Sequence, residues 1–238
     1  MFKKICASFV SVLAGLLFVA TPISAQSLDA SGGKGLDVSW SNCSDSIPKA
    51  DFGIVGTSDG LGYSENPCLA SEAGHFQNLS LYVNTGWYAQ SNHINPSSPK
   101  NCKSTNEDCL AYNYGYNAGL YAINYADSLG LKSNVWWLDV ETDNTWSTHP
   151  SQNRNSLRGE YDALINSGVQ QVGVYSTTDQ WDSITNNWLN NWSSWGATTW
   201  TTAKQAQTYC TGHEFTGGPS ILMQYLPKSA VIDHDVAC

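Results

Sequence analysis

The chain has 238 residues, a formal net charge of −9, and 11 lysines and arginines against 20 acids. So acidic and cation-poor a chain offers no electrostatic footprint for nucleic acid or an anionic membrane, and neither is expected as a partner. Ten tryptophans and twelve tyrosines exceed what core packing asks for. Beside abundant Asn, Ser and Thr, such aromatic faces suit a sugar-binding cleft.

Residues 1–25 read as a secretory signal peptide. Lys3 and Lys4 form a basic start, Ala7 to Ala20 an apolar core, and Ile23-Ser24-Ala25 a cleavage site. The apolar core is too short to span a bilayer, so an exported, extracellular protein is expected. Losing Lys3 and Lys4 takes the net charge from −9 to −11. Residues 26–34 are a flexible lead-in rich in Ser and Gly, and 35–238 form one domain of a length that supports a full core. Cys6 leaves with the signal peptide. The six cysteines that remain imply three disulfides in an exported chain. Six allow about 15 pairings; sequence proximity and the need to tie down the C-terminus favour Cys43–Cys68, Cys102–Cys109 and Cys210–Cys238.

Gly35 to Trp40 reads as a first strand and Phe52 to Thr57 as a second. A short helix over Pro67 to Gln77 follows, with Pro67 near its start. Ser80 to Thr85 is the third strand. Gly86 to Cys109 carries Asn95-Pro96, Ser97, Ser98 and Pro99 and no periodicity. A loop of this length is expected to line a binding site, with Trp87 and Tyr88 as sugar platforms. The clearest helix runs from about Leu110 to Leu129, stopped by Gly130. Val135 to Glu141 is the fourth strand, about Ser151 to Ser167 a helix, and Gln171 to Tyr175 the fifth strand. After a short helix from Asp179, Ala197 to Thr202, Ser220 to Tyr225 and Val231 to His234 complete eight strands. Strands alternating with helices imply parallel β-structure. The expected fold class is α/β: an irregular TIM-like β/α barrel in a single domain. The irregularity comes from Ser41 to Asp51, too short for a proper helix between the first two strands.

The stretch Val135-Trp136-Trp137-Leu138-Asp139-Val140-Glu141 organises the rest. Side chains on a strand alternate faces, so Asp139 and Glu141 point the same way, their Cα atoms about 6–7 Å apart. Polar turn residues follow, which places both acids at the carboxyl end of the strand, where β/α barrels bind ligands. With only Arg154 and Arg158 as arginines, the pair has no evident cation to neutralise it. Like-charge repulsion then raises a carboxyl pKa, which suits general acid catalysis. If all strand ends face one mouth, Asp37, Asp139, Glu141 and either Asp233 or Asp235 converge there. Asn84, Trp87, Trp137, Tyr175, Gln224 and Tyr225 are the expected substrate contacts.

These pieces resemble the family 25 glycoside hydrolases, the barrel-type N-acetylmuramidases. Gly35-Leu36-Asp37-Val38-Ser39 matches the opening motif and Leu138-Asp139-Val140-Glu141 the D-x-E. Val174-Tyr175-Ser176, Gln224-Tyr225 and Ile232-Asp233-His234-Asp235 match later strand ends. The mature chain is also similar to a group of secreted bacterial proteins, through Asn66-Pro67-Cys68, Leu81 to Thr85 and Phe215-Thr216-Gly217-Gly218. The resemblance implies a hydrolase acting on a polysaccharide such as peptidoglycan. Glu141 would be the general acid and Asp139 the residue that orients the substrate's own acetamido group for attack. Asp37 and Asp233 would support the sugar, Asp233 being favoured over Asp235 by alignment with the family's V-D-x-N ending. The chain departs from the family in Gly56-Thr57-Ser58-Asp59-Gly60, which lacks the usual lysine, and in Asn84-Thr85-Gly86-Trp87.

Two other readings compete. One is a non-catalytic carbohydrate-binding protein on the same barrel. The other is a metal-dependent phosphodiesterase, disfavoured because His75, His93, His149 and His213 share no motif and His234 faces away from Asp233. No cofactor and no metal are expected, and the protein is expected to act as a monomer.

Overall fold

The computed structural model describes residues 31–238; the expected signal peptide and residues 26–30 of the lead-in lie outside them. Eight strands close into one barrel in sequence order. They are β1 (Lys34–Val38), β2 (Phe52–Gly56), β3 (Leu79–Asn84), β4 (Val135–Asp139), β5 (Gln171–Ser176), β6 (Ser193–Ala197), β7 (Ser220–Tyr225) and β8 (Asp233–Ala237). The helices are α1 (Leu69–Ala73), α2 (Glu107–Ser128), α3 (Pro150–Asn166), α4 (Thr178–Thr185) and α5 (Ala203–Gln207), with only a 3-10 turn, Trp40–Asn42, between β1 and β2. Among the described residues no helix is long and apolar enough to cross a membrane.

Neighbours from β1 through β7 pair in parallel, but β8 runs antiparallel to both β7 and β1. This corrects the expectation of parallel strands throughout. Only residues 226–232 join β7 to β8, and a parallel crossover needs a dozen residues or more. Three boundaries also shift. β6 lies at Ser193–Ala197, not Ala197–Thr202, because Ser-Ser-Trp-Gly-Ala has little strand preference and takes its conformation from the neighbours on either side. β8 starts at Asp233 rather than Val231, and α1 is a five-residue turn.

Alternation divides the apolar residues into two layers. Phe52, Ile54, Val135, Trp137, Trp195 and Leu222 pack together inside the barrel. Leu36, Val38, Trp136, Leu138, Val140, Leu157 and Leu164 belong to the layer between strands and helices. In β4 this sends Val135, Trp137 and Asp139 inward. The α2 and α3 helices press backbone to backbone through Gly115 and Gly159. A Cβ added there would lie 1.9 Å from the Ser156 carbonyl oxygen and 2.0 Å from that of Tyr112, respectively. The three disulfides are the expected ones, Cys43–Cys68, Cys102–Cys109 and Cys210–Cys238.

Candidate active site

At the carboxyl end of β1–β7 the barrel opens into a cavity of about 280 Å³. Its walls are Asp37, Ser39, Trp40, Gly60, Tyr82, Asn84, Asp139, Glu141, Tyr175, Trp195, Gln224 and Asp233. The volume sits at the low end of ligand-pocket sizes. Seven of the ten expected catalytic and substrate-binding residues line it: Asp37, Asp139, Glu141, Asp233, Asn84, Tyr175 and Gln224.

The acids fall into two close pairs. Asp139 is 4 % exposed. One of its oxygens, Oδ2, accepts from Asn84 Nδ2, and Asn84 is itself fixed by Ser58, whose hydroxyl donates to Asn84 Oδ1 at 2.7 Å. The other oxygen, Oδ1, is buried with no fixed donor. Its neighbour in the interaction is the Glu141 carboxyl, and two carboxyls hydrogen-bond only when one keeps a proton. Burial, then the Glu141 charge, push Asp139 well above the carboxylate range, and the bond between them raises Asp139 further. Glu141 is raised too, chiefly by burial, while hydrogen bonding to Gln180 and Asp139 pulls it back. Both carboxyls are thus pushed towards the protonated form, Asp139 the more strongly because it is the more deeply buried.

The second pair is Asp37 and Asp235. Asp37 Oδ2 accepts from Gln224 Nε2 at 3.1 Å, and Gln224 Oε1 accepts from the Tyr175 hydroxyl at 3.0 Å. Asp235 is 0 % exposed, with Oδ1 accepting from Trp195 Nε1 at 2.7 Å and Oδ2 left without a donor. Burial and the nearby Asp233 raise Asp37 to about 7. Asp235, raised by burial and then by Asp37, stays well above the ordinary range. Antiparallel β8 explains the arrangement: its register puts Asp233 opposite Asp37 at the mouth and Asp235 opposite Gly35 one step deeper. Asp233 thus reaches the cavity, and Asp235 supports the floor from below. His234 points the other way, towards Tyr225, with ring centroids 5.6 Å apart.

Three expected substrate contacts lie elsewhere. Trp87 is 2 % exposed and packs against Tyr114, its Nε1 donating to Gln152 at 3.0 Å. Its backbone N–H bonds the Thr145 carbonyl, and the residue is absent from the cavity wall. The ring is core. Trp137 faces inward but lies below Asp139, in contact with Trp195 at 5.6 Å. Tyr225, of opposite parity to Gln224, packs outside with Met223 and Val236. The long loop is likewise displaced: no residue from 86 to 109 lines the cavity. Asn113 and Asn117 of α2 donate to the carbonyls of Asn95, Lys100 and Ser98, and Lys100 Nζ sits 3.1 Å from the Tyr112 ring centre.

Sequence reasoning missed Tyr82, Trp195 and Trp40. Tyr82 shares the inward parity of Asn84, a signal that was available. Trp195 was hidden by the misplaced sixth strand, and Trp40 lies just beyond the end of β1.

A family model described as "Lysozyme-like protein 1" matches residues 107–216. No curated protein sequence matches the chain. Among solved structures, a glycosyl hydrolase 25 virulence factor of Streptococcus pneumoniae is 14 % identical, with 87 % of each chain covered and a TM-score of 0.53. The bacterial lysozyme of Streptomyces coelicolor is 15 % identical over 88 % of this chain and 93 % of its own, with a TM-score of 0.51. A muramidase from Trichobolus zukalii is 14 % identical over 87 % and 93 %, with a TM-score of 0.53. At such identities the likeness concerns the fold alone: this chain folds as the β/α barrel that these solved structures share.

Proposed function

We propose that the protein is a secreted glycoside hydrolase that cleaves peptidoglycan or a closely related N-acetylated glycan. The carrying observation is that Asp139 and Glu141 line the mouth together, with no Lys, Arg or His on the cavity wall; this favours a proton shared between them. In this reading the two carboxyls trade that proton when substrate arrives. An acetamido N–H needs an ionised acceptor, and Asp139 becomes one by giving its proton to Glu141. Glu141 then protonates the glycosidic oxygen as the bond to the anomeric carbon breaks, and the acetamido oxygen bonds that carbon from the other side. Water completes the hydrolysis with the Glu141 carboxylate taking its proton, which restores the resting pair. Asp37 and Asp233 hold sugar hydroxyls. Tyr82, Tyr175 and Trp195 supply the apolar faces of a chamber that holds a single ring, and the lysozyme and muramidase names of the structural neighbours support the polysaccharide class. Three disulfides fit an oxidising compartment outside the cell.

The test is Glu141→Gln, which keeps the shape and removes the transferable proton. Turnover of peptidoglycan, followed by mass analysis of released fragments, should drop at least ~100-fold with the melting temperature kept. Wild-type turnover in the variant would reduce the pair to a structural feature and leave a carbohydrate-binding barrel.

A further inference from the structure

Three large apolar side chains stand exposed on loops beside the mouth. Trp40 is 46 % exposed, Leu61 62 % and Val231 73 %. They come from the loops after β1 and β2 and from the β7–β8 connection, which is the side of the mouth across from Glu141. The segments that carry Trp40 and Val231 are tied together by fixed contacts. Asn42, next but one to Trp40, is buried and donates to the Val231 carbonyl at 3.3 Å and to Asp45 Oδ2 at 3.0 Å. Its Oδ1 accepts from the Ser39 backbone N–H at 3.1 Å. The Cys43–Cys68 disulfide anchors the next residue to the start of α1. The Trp40 indole nitrogen lies alongside Gly60, the neighbour of Leu61, where φ is +96° and a side chain would be strained.

An exposed indole is ordinarily free to turn. Here a one-turn helix, a buried amide and a covalent bridge hold the backbone that carries it, and the indole forms part of the cavity wall. A surface so fixed is preorganised, and it loses little conformational entropy when a ligand lies on it. The cavity wall contains four carboxyls and no Lys, Arg or His, so it disfavours a ring that carries negative charge; the N-acetylated, neutral ring is taken from the hydrolase reading. The adjacent side chains of Trp40, Leu61 and Val231 offer C–H, methyl and aromatic contacts.

We infer that Trp40, with Leu61 and Val231 beside it, is a specificity-determining platform that stacks a sugar ring outside the cavity, so that the protein selects a polymer of neutral N-acetylated sugars over a short glycoside. This rests on the hydrolase reading above and deepens it. One ring occupies the acidic cavity, and the chain continues over β1 and β2 with the apolar face of a neighbouring ring on the indole.

The test measures binding apart from turnover. In Glu141→Gln protein, calorimetry compares the dimer and the tetramer of N-acetylglucosamine. The tetramer should bind at least ~10-fold more tightly, which corresponds to about 1.4 kcal/mol and to the upper range for one aromatic contact. Adding Trp40→Ala should remove most of that margin, whereas Trp40→Phe should keep more of it than alanine does, and both should melt where the parent does. The inference is overturned if Trp40→Ala binds the tetramer as tightly as its parent, if the tetramer binds no better than the dimer, or if neither sugar binds. Wild-type turnover of peptidoglycan reads the hydrolase proposal separately: a chain-length margin without turnover would sink that proposal and leave the platform standing.

Discussion

Replacing Asp37 by Asn tests the electrostatics of the floor. The Asp37 carboxyl is raised from 3.8 to about 7 by burial and by Asp233. A carboxyl whose folded pKa is raised holds its proton more tightly in the folded state. Its contribution to stability is complete below pH 3.8 and is lost as the pH climbs through 7. Between pH 5 and 7 the unfolded chain has already released this proton and the folded one has not. At ~1.36 kcal/mol per pH unit, tapering as 7 is reached, the loss comes to about 2 kcal/mol. For a domain of this size that is about 4–8 °C in melting temperature. Asparagine keeps an acceptor for Gln224 and has no proton to lose. Thermal denaturation of both proteins from pH 5 to 7 should therefore show the wild type falling relative to Asp37→Asn by that amount. The difference reports Asp37 together with the relief it gives Asp235, whose carboxyl Asp37 helps to raise. A gap between the curves that stays constant with pH would mean that Asp37 is ionised throughout, and the shared-proton account of the floor would fail.

Two further substitutions address packing. Trp87→Ala removes a fully buried ring and should cost about 3–5 kcal/mol, seen as a large drop in melting temperature; a shift of under ~2 °C would return the ring to the surface. Gly115→Ala drives a methyl into the Ser156 carbonyl and should cost at least ~1–3 kcal/mol by forcing α2 and α3 apart. Circular dichroism melts matching the wild type would show that the helices separate without penalty.

Features that depend on a period of two were legible in the sequence. Asp139 and Glu141 share a face because they are two apart, whereas Asn84 and Gln224 were expected at the mouth only as residues at strand ends. The rule of alternation would also have found Tyr82 inside and Tyr225 outside, had it been applied beyond the motif residues. It failed where the chain leaves the strand. Trp87 lies three residues past the end of β3, and its direction is set by a hydrogen bond to Thr145, a residue 58 positions later. The β6 strand carries almost no local signal, so Trp195 could be placed only by its neighbours. The reversed β8 was announced by the shortness of the segment before it, which the alternating pattern of the preceding elements obscured.

The way the Gly86–Cys109 loop is fastened bears on how such a protein would meet a solid. The longest connection in the barrel is fixed along α2 by amide bonds, a cation over a ring and the Cys102–Cys109 disulfide, so among the described residues this connection is held off the mouth and does not shut over a bound chain. Enzymes that enclose small molecules spend a step on closing and another on opening. A mouth that this loop leaves open skips both and can be pressed against a strand that is still part of an insoluble sheet. Its working rate would then follow how often it lands on and creeps across that sheet, and should depend on the area of solid offered more than on its mass in suspension.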